Sequence, residues 1–238
     1  MIANLRLAIR LAALVIALIA ALCIHGLWRV FRLPSPWPRL FLGSVAWIVG
    51  ARVRVIGRPL KRDVVFLANH LSWIDILAIA GATGSAFVAK AELRAAPLVG
   101  WLCTLNRTIF VTREDRLQVS AQIARLREAL AEGWAVTIFP EGTTSDGTTL
   151  LPFKAALLAA LDPPPPGGRV QPVRIDYGPA TAELAWVGDE PGQVHALRVL
   201  RRRGTFPVTL HMLDTFDPAE IGGRKAIAAR AREAIGAA

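Results

Sequence analysis

Residues 11–28 form an apolar run that lies between Arg10 and Arg29 and is interrupted only by His25. At a rise of about 1.5 Å per residue, a helix over this run is just long enough to cross a hydrocarbon core of about 30 Å. The run limits the first part of the chain to a membrane helix, a core helix buried inside a protein, or a signal sequence.

A second apolar run, at 40–50, contains Trp47 and is too short to cross a bilayer. A proline-rich turn at 34–38 separates the two runs and carries Trp37, a residue type that favours the membrane interface. No convincing small-x-small cleavage site follows the first run, which argues against a cleaved signal. We therefore predict that residues 1–50 are a two-helix membrane-anchoring segment, which either spans the bilayer once or lies in one leaflet.

The positive charge of the chain is concentrated in the same region. The net charge is +10, yet residues 1–62 hold ten Arg and Lys and no acidic residue, whereas residues 63–238 hold eighteen of each sign. Because the basic residues flank apolar runs, we expect them to meet anionic lipid headgroups, and we expect no nucleic-acid partner. Two cysteines provide neither a disulfide framework nor a metal-ligand cluster, which favours a reducing compartment.

From residue 51 onward the pattern changes to alternating strands and helices, which predicts one α/β domain over residues 51–238. We expect a mainly parallel sheet flanked by helices, with a turn around Pro97 and Gly100. The predicted strands are 64–68, 86–89, 108–112, 136–139, 170–175 and 208–211, and the predicted helices are 73–79, 115–132, 154–161 and 218–235.

The apolar strand at 64–68 runs directly into Asn69 and His70, and Asp75 follows five residues after the histidine. Ligands bind at the C-terminal ends of strands in open α/β sheets. A carboxylate on one ring nitrogen would fix the tautomer and leave the other nitrogen free to accept a proton. The alternative is a capping box, in which Ser72 caps the next helix and Asp75 is only a helix-start residue.

Two further predicted strands end in polar residues. The strand at 136–139 opens into a turn at 140–147 that contains Glu141 and several glycines, and Arg113 follows the strand at 108–112. Glycines let backbone N–H groups approach a ligand, and a guanidinium suits a phosphate or a carboxylate. We expect these turns to share one edge of the parallel sheet with His70, although each could also be a plain surface loop.

Taken in order, these blocks resemble the glycerolipid acyltransferase family, the 1-acylglycerol-3-phosphate O-acyltransferases. The resemblance covers about residues 50–215, and its most specific part is His-x4-Asp followed by Phe-Pro-Glu-Gly-Thr. The four blocks are Asn69 with His70 and Asp75, Phe110 with Arg113, residues 139–143, and residues 170–173.

The resemblance implies a glycerol-3-phosphate acyltransferase-like fold and a catalytic pair in which His70 is the general base and Asp75 orients it. The acyl group would pass from acyl carrier protein or coenzyme A to the hydroxyl of a lysolipid, with no cofactor and no metal. Membrane lipids would be partners, at the cell inner membrane with the active site facing the cytoplasm. The implied substrate-binding residues are Asn69, Arg113, Glu141, Gly142, Thr143, Thr144 and Pro172.

The family resemblance places 1-acylglycerol-3-phosphate first as the acceptor, giving phosphatidic acid. One departure concerns Thr144, because members that act on a phosphate acceptor often carry Arg directly after Glu-Gly-Thr. The run at 141–147, continued by Leu-Pro-Phe-Lys at 151–154, resembles instead the branch that acylates lyso-ornithine lipid. A serine hydrolase would need Gly-x-Ser-x-Gly, which the chain lacks. A membrane lipid-binding module without turnover is the alternative outside catalysis.

Overall fold

The structure of the protein, a computed structural model, describes residues 2–33, 35–111 and 116–238. In these residues seven strands form one sheet, and all neighbouring strands are parallel except one antiparallel pair. The strands are β1 (Ala51–Ile56), β2 (Val64–Ala68), β3 (Ala86–Lys90), β4 (Ile109–Val111), β5 (Ala135–Ile138), β6 (Arg169–Asp176) and β7 (Phe206–Met212). Their order across the sheet is β1-β7-β6-β2-β5-β3-β4, and β6 and β7 are the antiparallel neighbours.

The described helices flank this sheet, so the predicted mainly parallel α/β fold is confirmed. They are α1 (Ile2–Val30), α2 (Trp37–Val49), α3 (Ile74–Thr83), α4 (Pro97–Leu105), α5 (Arg116–Ala131), the single turn α6 (Thr181–Leu184), α7 (Gly192–Arg201) and α8 (Arg224–Ala237). Strand β1 and helix α7 were absent from the sequence prediction.

Strand β2 lies in the middle of the sheet and is buried on both faces. Val64, Phe66 and Ala68 contribute to one hydrophobic core, and Val65 and Leu67 contribute to the core on the other face. Alternate side chains of a strand point to opposite faces, so a strand with two covered faces is apolar at every position. This burial holds the end of β2, and therefore the residues that follow it, in a fixed place.

The prediction of a turn at Pro97 and Gly100 is wrong, because helix α4 occupies Pro97–Leu105. Proline is compatible with the first turn of a helix, where its missing N–H has no intrahelical partner. A Cβ at Gly100 would come within 2.5 Å of the carbonyl oxygen of Arg94. Glycine is therefore needed for this close approach and does not break the helix here.

Two predicted helices are shorter than expected. Within 154–161 only a 3-10 turn forms, at Leu157–Leu161, because the amide of Lys154 donates to the carbonyl of Pro140 (2.7 Å) and holds the preceding residues beside another loop. The helix predicted over 218–235 is divided into a 3-10 turn at Pro218–Glu220 and helix α8. Gly223 separates them with a φ of +83°, which a right-handed helix does not allow.

Helix α1 is tied to the α/β domain near its N-terminus. The guanidinium of Arg10 donates to carbonyl groups at the C-terminal end of α7, those of Val199, Leu200 and Arg202, at 3.0–3.2 Å. Arg6 donates to the carbonyl of Arg201 at 2.7 Å. A cation at the end of a helix satisfies carbonyls that lack partners and complements the helix dipole. The first third of α1 is therefore held against the domain.

Helix α2 packs closely on α3. Gly43 and Gly81 meet where the two helices cross, and a Cβ at Gly81 would lie 2.7 Å from the Cα of Gly43. Such a contact brings the backbones of the two helices together, as only small residues permit. Because α3 begins beside the candidate site, α2 is fixed close to the site.

The outward face of α1 is apolar along its length. Ile9, Ile16, Ile19 and Leu27 are each more than half exposed, and α1 is long and apolar enough to cross a membrane. The inward face, with Leu7 and Leu14, packs against the core of the domain. A helix with one apolar face against protein and the other uncovered is a candidate membrane anchor.

Candidate active site

The loop that follows β2 is pinned to strand β6. The side-chain amide of Asn69 donates to the carbonyl of Ile175 (3.0 Å) and accepts from its amide (2.7 Å). Asn69 is buried, and this pair of hydrogen bonds replaces a rung of the sheet ladder. In the structure Asn69 therefore fixes the position of His70, and its predicted contact with substrate stays a prediction.

His70 and Asp75 come together as predicted from their spacing. Nδ1 of His70 lies 2.8 Å from Oδ2 of Asp75, whose side chain is fully buried. A carboxylate only accepts, so Nδ1 carries the proton and Nε2 is the basic nitrogen of the neutral ring. The His70 side chain is 16% exposed, so the imidazole is partly open to the surface.

Asp75 also closes the turn that leads into α3. Its Oδ2 accepts from the backbone amides of Leu71 (2.6 Å) and Ser72 (2.9 Å). The bond from the Ser72 amide is one half of the predicted capping box. The other half is displaced, because the Ser72 hydroxyl accepts from the amide of Ile74 (3.4 Å), where the helix begins. Asp75 therefore acts both as the partner that orients the imidazole of His70 and as a residue that orders the turn before the helix.

Tyr177 completes the set of donors to Asp75. It lies directly after β6, is fully buried, and donates its hydroxyl to Oδ1 of Asp75. Burial, together with the adjacent carboxylate, raises the pKa of Tyr177 well above its ordinary value, so the hydroxyl stays protonated. Tyr177 is a positioning residue that holds the far oxygen of the carboxylate.

Tyr177→Phe is expected to lower stability by about 1–3 kcal/mol, because it leaves a buried carboxylate oxygen without its donor. The acid limb of the pH profile of kcat/KM should move to higher pH, since Asp75 with fewer donors stabilises a charged imidazole more strongly. Phe206→Leu is the matched control, because the Phe206 ring packs 6.3 Å from that of Tyr177 and makes no hydrogen bond to Asp75. A profile that moves equally in both variants would contradict the role of the hydroxyl.

Glu141, in the turn after β5, is hydrogen-bonded to the loop after β2 that carries His70. Its carboxylate is 1% exposed and accepts from the backbone amides of His70 (3.0 Å) and Leu151 (3.3 Å). Burial raises the pKa of Glu141, and the two amides oppose the rise. The observed contacts of Glu141 are to protein backbone, and its predicted contact with the acceptor stays a prediction.

The turn after β5 holds the same loop through backbone contacts. The amide of Ser145 donates to the carbonyl of His70 at 2.8 Å, and Thr144 donates its hydroxyl to the carbonyl of Trp186. Gly142 has a φ of +73°, which favours glycine, and Thr143 is exposed. Of the predicted substrate-binding residues in this turn, Thr143 is therefore the one whose side chain is most open to a ligand.

A stack of aromatic rings supports the imidazole from the side of β5. The ring of Phe139 lies 4.0 Å from that of His70 at an interplanar angle of 13°, and Phe87 of β3 lies 6.0 Å from Phe139. These contacts restrict rotation of the imidazole about its own axis. The hydrogen bond to Asp75 and the stack together fix the direction of Nε2.

Of the two remaining predicted site residues, the structure describes only Pro172. Pro172 lies inside β6, where it pairs with Leu67, and its carbonyl accepts from the amide of Leu213 at 3.0 Å. Arg113 lies outside the described residues. Their contact with substrate stays a prediction.

Sequence reasoning missed Tyr177 and the amide of Leu151 as parts of the site, and it gave Phe139, the first residue of the 139–143 block, no role of its own. A signal existed for Tyr177, which is the only tyrosine of the chain and lies two residues after the predicted strand at 170–175. Within the described residues, no group of three or more His, Cys, Asp or Glu side chains is placed to hold a metal ion.

A buried histidine lies behind the turn that carries the site. Nδ1 of His195 accepts from the indole N–H of Trp73 (2.9 Å), and Nε2 donates to the carbonyl of Leu184 (3.1 Å). Burial lowers the pKa of His195 below its ordinary value, and Arg198 acts in the same direction, while the Leu184 hydrogen bond and Glu190 oppose it. Both nitrogens are used by the neutral ring.

Because the pKa of His195 is lowered on folding, the unfolded chain takes up a proton at higher pH than the folded chain. The free energy of unfolding is therefore expected to fall as the pH drops below about 6.5. Urea denaturation in detergent at a series of pH values measures this slope. His195→Gln should flatten it, and an equal slope in the variant would assign the effect to other groups.

Comparisons with known proteins agree with this geometry. A family profile described as "Acyltransferase" matches residues 52–176. The lyso-ornithine lipid O-acyltransferase of Rhodobacter capsulatus is 32% identical, over 97% of this chain and 88% of that protein. The protein of the same name from Rhizobium meliloti is 34% identical, over 91% of this chain and 78% of that protein.

Relatives with another acceptor in their names are also similar. The 1-acyl-sn-glycerol-3-phosphate acyltransferase of Neisseria gonorrhoeae is 37% identical, over 51% of this chain and 48% of that protein. The crystal structure of the 1-acyl-sn-glycerophosphate (LPA) acyltransferase PlsC from Thermotoga maritima matches with a TM-score of 0.70 and 25% identity, over 100% of this chain and 96% of that one. The chain belongs to the PlsC-type acyltransferase family and is an acyltransferase of lysolipids.

Proposed function

We propose that this enzyme transfers a fatty acyl group from an acyl thioester, carried by acyl carrier protein or coenzyme A, to the free hydroxyl of a lysolipid, with His70 as general base. The observation that carries the proposal is the pair of His70 and the fully buried Asp75, 2.8 Å apart. The pair leaves Nε2 unprotonated at a partly open position.

The step is a transfer of one acyl group without a cofactor. Nε2 of His70 takes the proton of the lysolipid hydroxyl while the oxygen attacks the thioester carbonyl carbon. The tetrahedral intermediate collapses as the carbon–sulfur bond breaks, and the imidazolium returns the proton to the thiolate. The products are an ester and a free thiol. Asp75 stabilises the imidazolium between these two proton transfers.

We propose lyso-ornithine lipid as the acceptor. The sequence places 1-acylglycerol-3-phosphate first, but relatives named for lyso-ornithine lipid are similar over nearly the whole chain. Thr144 supports this choice, because it stands where family members that act on a phosphate acceptor often carry an arginine. Its hydroxyl donates to the carbonyl of Trp186. 1-Acylglycerol-3-phosphate is the second candidate, because relatives named for that acceptor also match.

Acyl transfer and the choice of acceptor are both tested with purified enzyme in vesicles. The acyl thioester of acyl carrier protein and that of coenzyme A are supplied in separate reactions, and ester formation is measured with each acceptor. We expect kcat/KM for lyso-ornithine lipid to exceed that for lysophosphatidic acid by about tenfold or more, equivalent to about 1.4 kcal/mol. The His70→Ala enzyme gives the background for each acceptor. A higher value for lysophosphatidic acid would overturn the choice of acceptor and leave acyl transfer itself intact.

We also propose that α1 and α2 lie in one leaflet of the inner membrane, with the site facing the cytoplasm. The contacts of Arg6 and Arg10 with the end of α7 hold the start of α1 against the domain. The contacts continue along the apolar run, because Leu14 packs against the core of the domain and Leu18 and Leu22 line a cavity with residues of α2 and α4. A single span would need this run to leave the domain and cross the bilayer alone. This favours shallow insertion over a single span, and it brings the site to the lipid surface.

A further inference from the structure

We infer that α4, together with the 3-10 turn before it (Ala91–Ala95), forms a third membrane-contact surface whose partner is the acyl region of the lipid bilayer. The inference rests on the proposed membrane attachment of α1 and α2, and it adds a separate element to that attachment. We refer to its exposed apolar side chains as the α4 surface; they are Leu93, Leu98, Val99 and Trp101.

The four apolar side chains of the α4 surface are each at least 40% exposed. Leu98 is 55% exposed, Val99 47% and Trp101 44%, and Leu93 in the preceding turn is 40% exposed. Large apolar side chains that cluster in this way on a protein surface indicate a binding partner. Leu98 and Trp101 are three residues apart, so they lie on the same side of the helix.

The charge of this segment favours lipid over a charged partner. The nine residues of α4 include no charged side chain; Glu92 and Arg94 lie in the turn before it, and Arg107 lies two residues after it. The guanidinium of Arg94 lies over the ring of Phe110, 5.7 Å from its centroid. An uncharged helix with an exposed tryptophan suits the boundary between acyl chains and headgroups.

The C-terminal half of α4 adjoins the proposed anchor. Leu102 and Leu105 line a small apolar cavity together with Leu18 and Leu22 of α1 and Phe41 of α2. Helix α4 is therefore placed beside both anchor helices, and its outward side chains extend the apolar exterior that α1 begins. This continuity with the proposed membrane surface identifies lipid as the partner.

Helix α4 follows strand β3, and this connection places the α4 surface near the edge of the sheet that carries the site. Strand β3, which precedes α4, is parallel to β5, and Phe139, which directly follows β5, stacks on His70. The C-terminal ends of parallel strands lie at the same edge of a sheet. A bilayer seated on α4 would therefore meet the enzyme along the edge that carries His70, where a lysolipid must present its hydroxyl.

Fluorescent labels at single cysteines test the inference directly. Cys23→Ser and Cys103→Ser give a background in which Leu98→Cys carries an environment-sensitive label. Two matched sites provide references in the same background, Ile16→Cys on α1 (67% exposed) and Val194→Cys on α7 (53% exposed). The proteins are bound to vesicles of phosphatidylethanolamine and phosphatidylglycerol that contain doxyl-labelled acyl chains.

We expect the label at position 98 to be quenched to an extent comparable with that at 16, and several-fold more than that at 194. Quenching at 16 without quenching at 98 would overturn the inference and leave the α1–α2 attachment standing. Quenching at neither site would overturn both. A second copy of the chain on this surface would shield the label at 98 in detergent as protein concentration rises, without lipid quenching, and would also overturn the inference.

A charge on the α4 surface should weaken vesicle binding. Leu98→Asp is expected to raise the lipid concentration needed for half-maximal binding by about tenfold or more, because a carboxylate is strongly disfavoured among acyl chains. Val194→Asp places the same charge on an exposed apolar position of α7 and should leave binding near that of the parent enzyme. Equal effects of the two substitutions would contradict a specific role for α4.

Discussion

The His70→Ala enzyme is expected to lose about 10²–10⁴-fold in kcat for acyl transfer while it stays folded and in the membrane fraction. The loss follows from removal of the basic nitrogen that the buried Asp75 and the stacked ring of Phe139 hold in place. Turnover is measured as ester formed from a labelled acyl thioester. Circular dichroism and membrane fractionation establish that the protein is otherwise intact.

His211→Ala is a suitable control for this experiment. His211 lies on β7, two strands from β2 in the sheet, and pairs with Arg174 of β6, so we expect its loss to leave kcat nearly unchanged. Near-normal turnover in the His70→Ala enzyme would contradict base catalysis by His70. Absence of turnover in the parent enzyme with every acceptor would favour the lipid-binding module.

Asp75→Asn is expected to lower kcat by about 10²-fold or more, because it removes a negative charge 2.8 Å from the imidazole and retains an oxygen that can accept from Nδ1. The amide oxygen can also accept from Leu71 and Ser72, and Tyr177 can turn its hydroxyl to accept from the amide nitrogen. The fold should therefore survive, and the lower kcat would be due to the missing negative charge of Asp75.

The direction of the pH profile distinguishes Asp75→Asn from Tyr177→Phe. Loss of the carboxylate charge should move the acid limb of kcat/KM to lower pH, whereas Tyr177→Phe should move it to higher pH. Asp146→Asn is the control, because Asp146 lies on the same turn as Glu141 but is exposed and bonded to Thr148. A profile that shifts in the same direction in both site variants would show that Tyr177 does not act through Asp75.

The local part of the site could be predicted because its residues are close together in the chain. An apolar strand buried on both faces fixes where His70 emerges, and five residues suffice for Asp75 to fold back onto the ring. Each of these features depends on the period of a strand and the geometry of one turn. Both are visible in a single sequence.

The contacts of Glu141 and Tyr177 depend on the arrangement of the whole sheet. Glu141 bonds to the amide of His70, 71 positions away, and Tyr177 bonds to Asp75, 102 positions away. Sequence motifs place Glu141 at a strand end, but they do not tell whether its carboxylate faces a ligand or the protein. That distinction requires the parallel pairing of β2 with β5 and β6.

Helix α4 illustrates why local signals can mislead. Proline and glycine at 97 and 100 are typical of a turn, yet a helix forms here. Gly100 packs against the backbone of Arg94, and Leu102 and Leu105 pack beside the anchor helices. Tertiary contacts outweigh intrinsic propensity in a short apolar segment. The antiparallel pairing of β6 with β7 likewise has no local signature.

The coupling between thiol release and ester formation tests the central claim most directly, namely that the enzyme transfers an acyl group from a thioester to a lysolipid hydroxyl. Thiol and ester are measured in the same reaction, with and without lyso-ornithine lipid, using the parent enzyme and its His70→Ala variant. We expect the parent enzyme to release thiol only when the lysolipid is present, in equal amount to the ester formed, and the variant to release almost none. Thiol release that continues without an acceptor, or that exceeds the ester, would contradict the account and identify a thioester hydrolase.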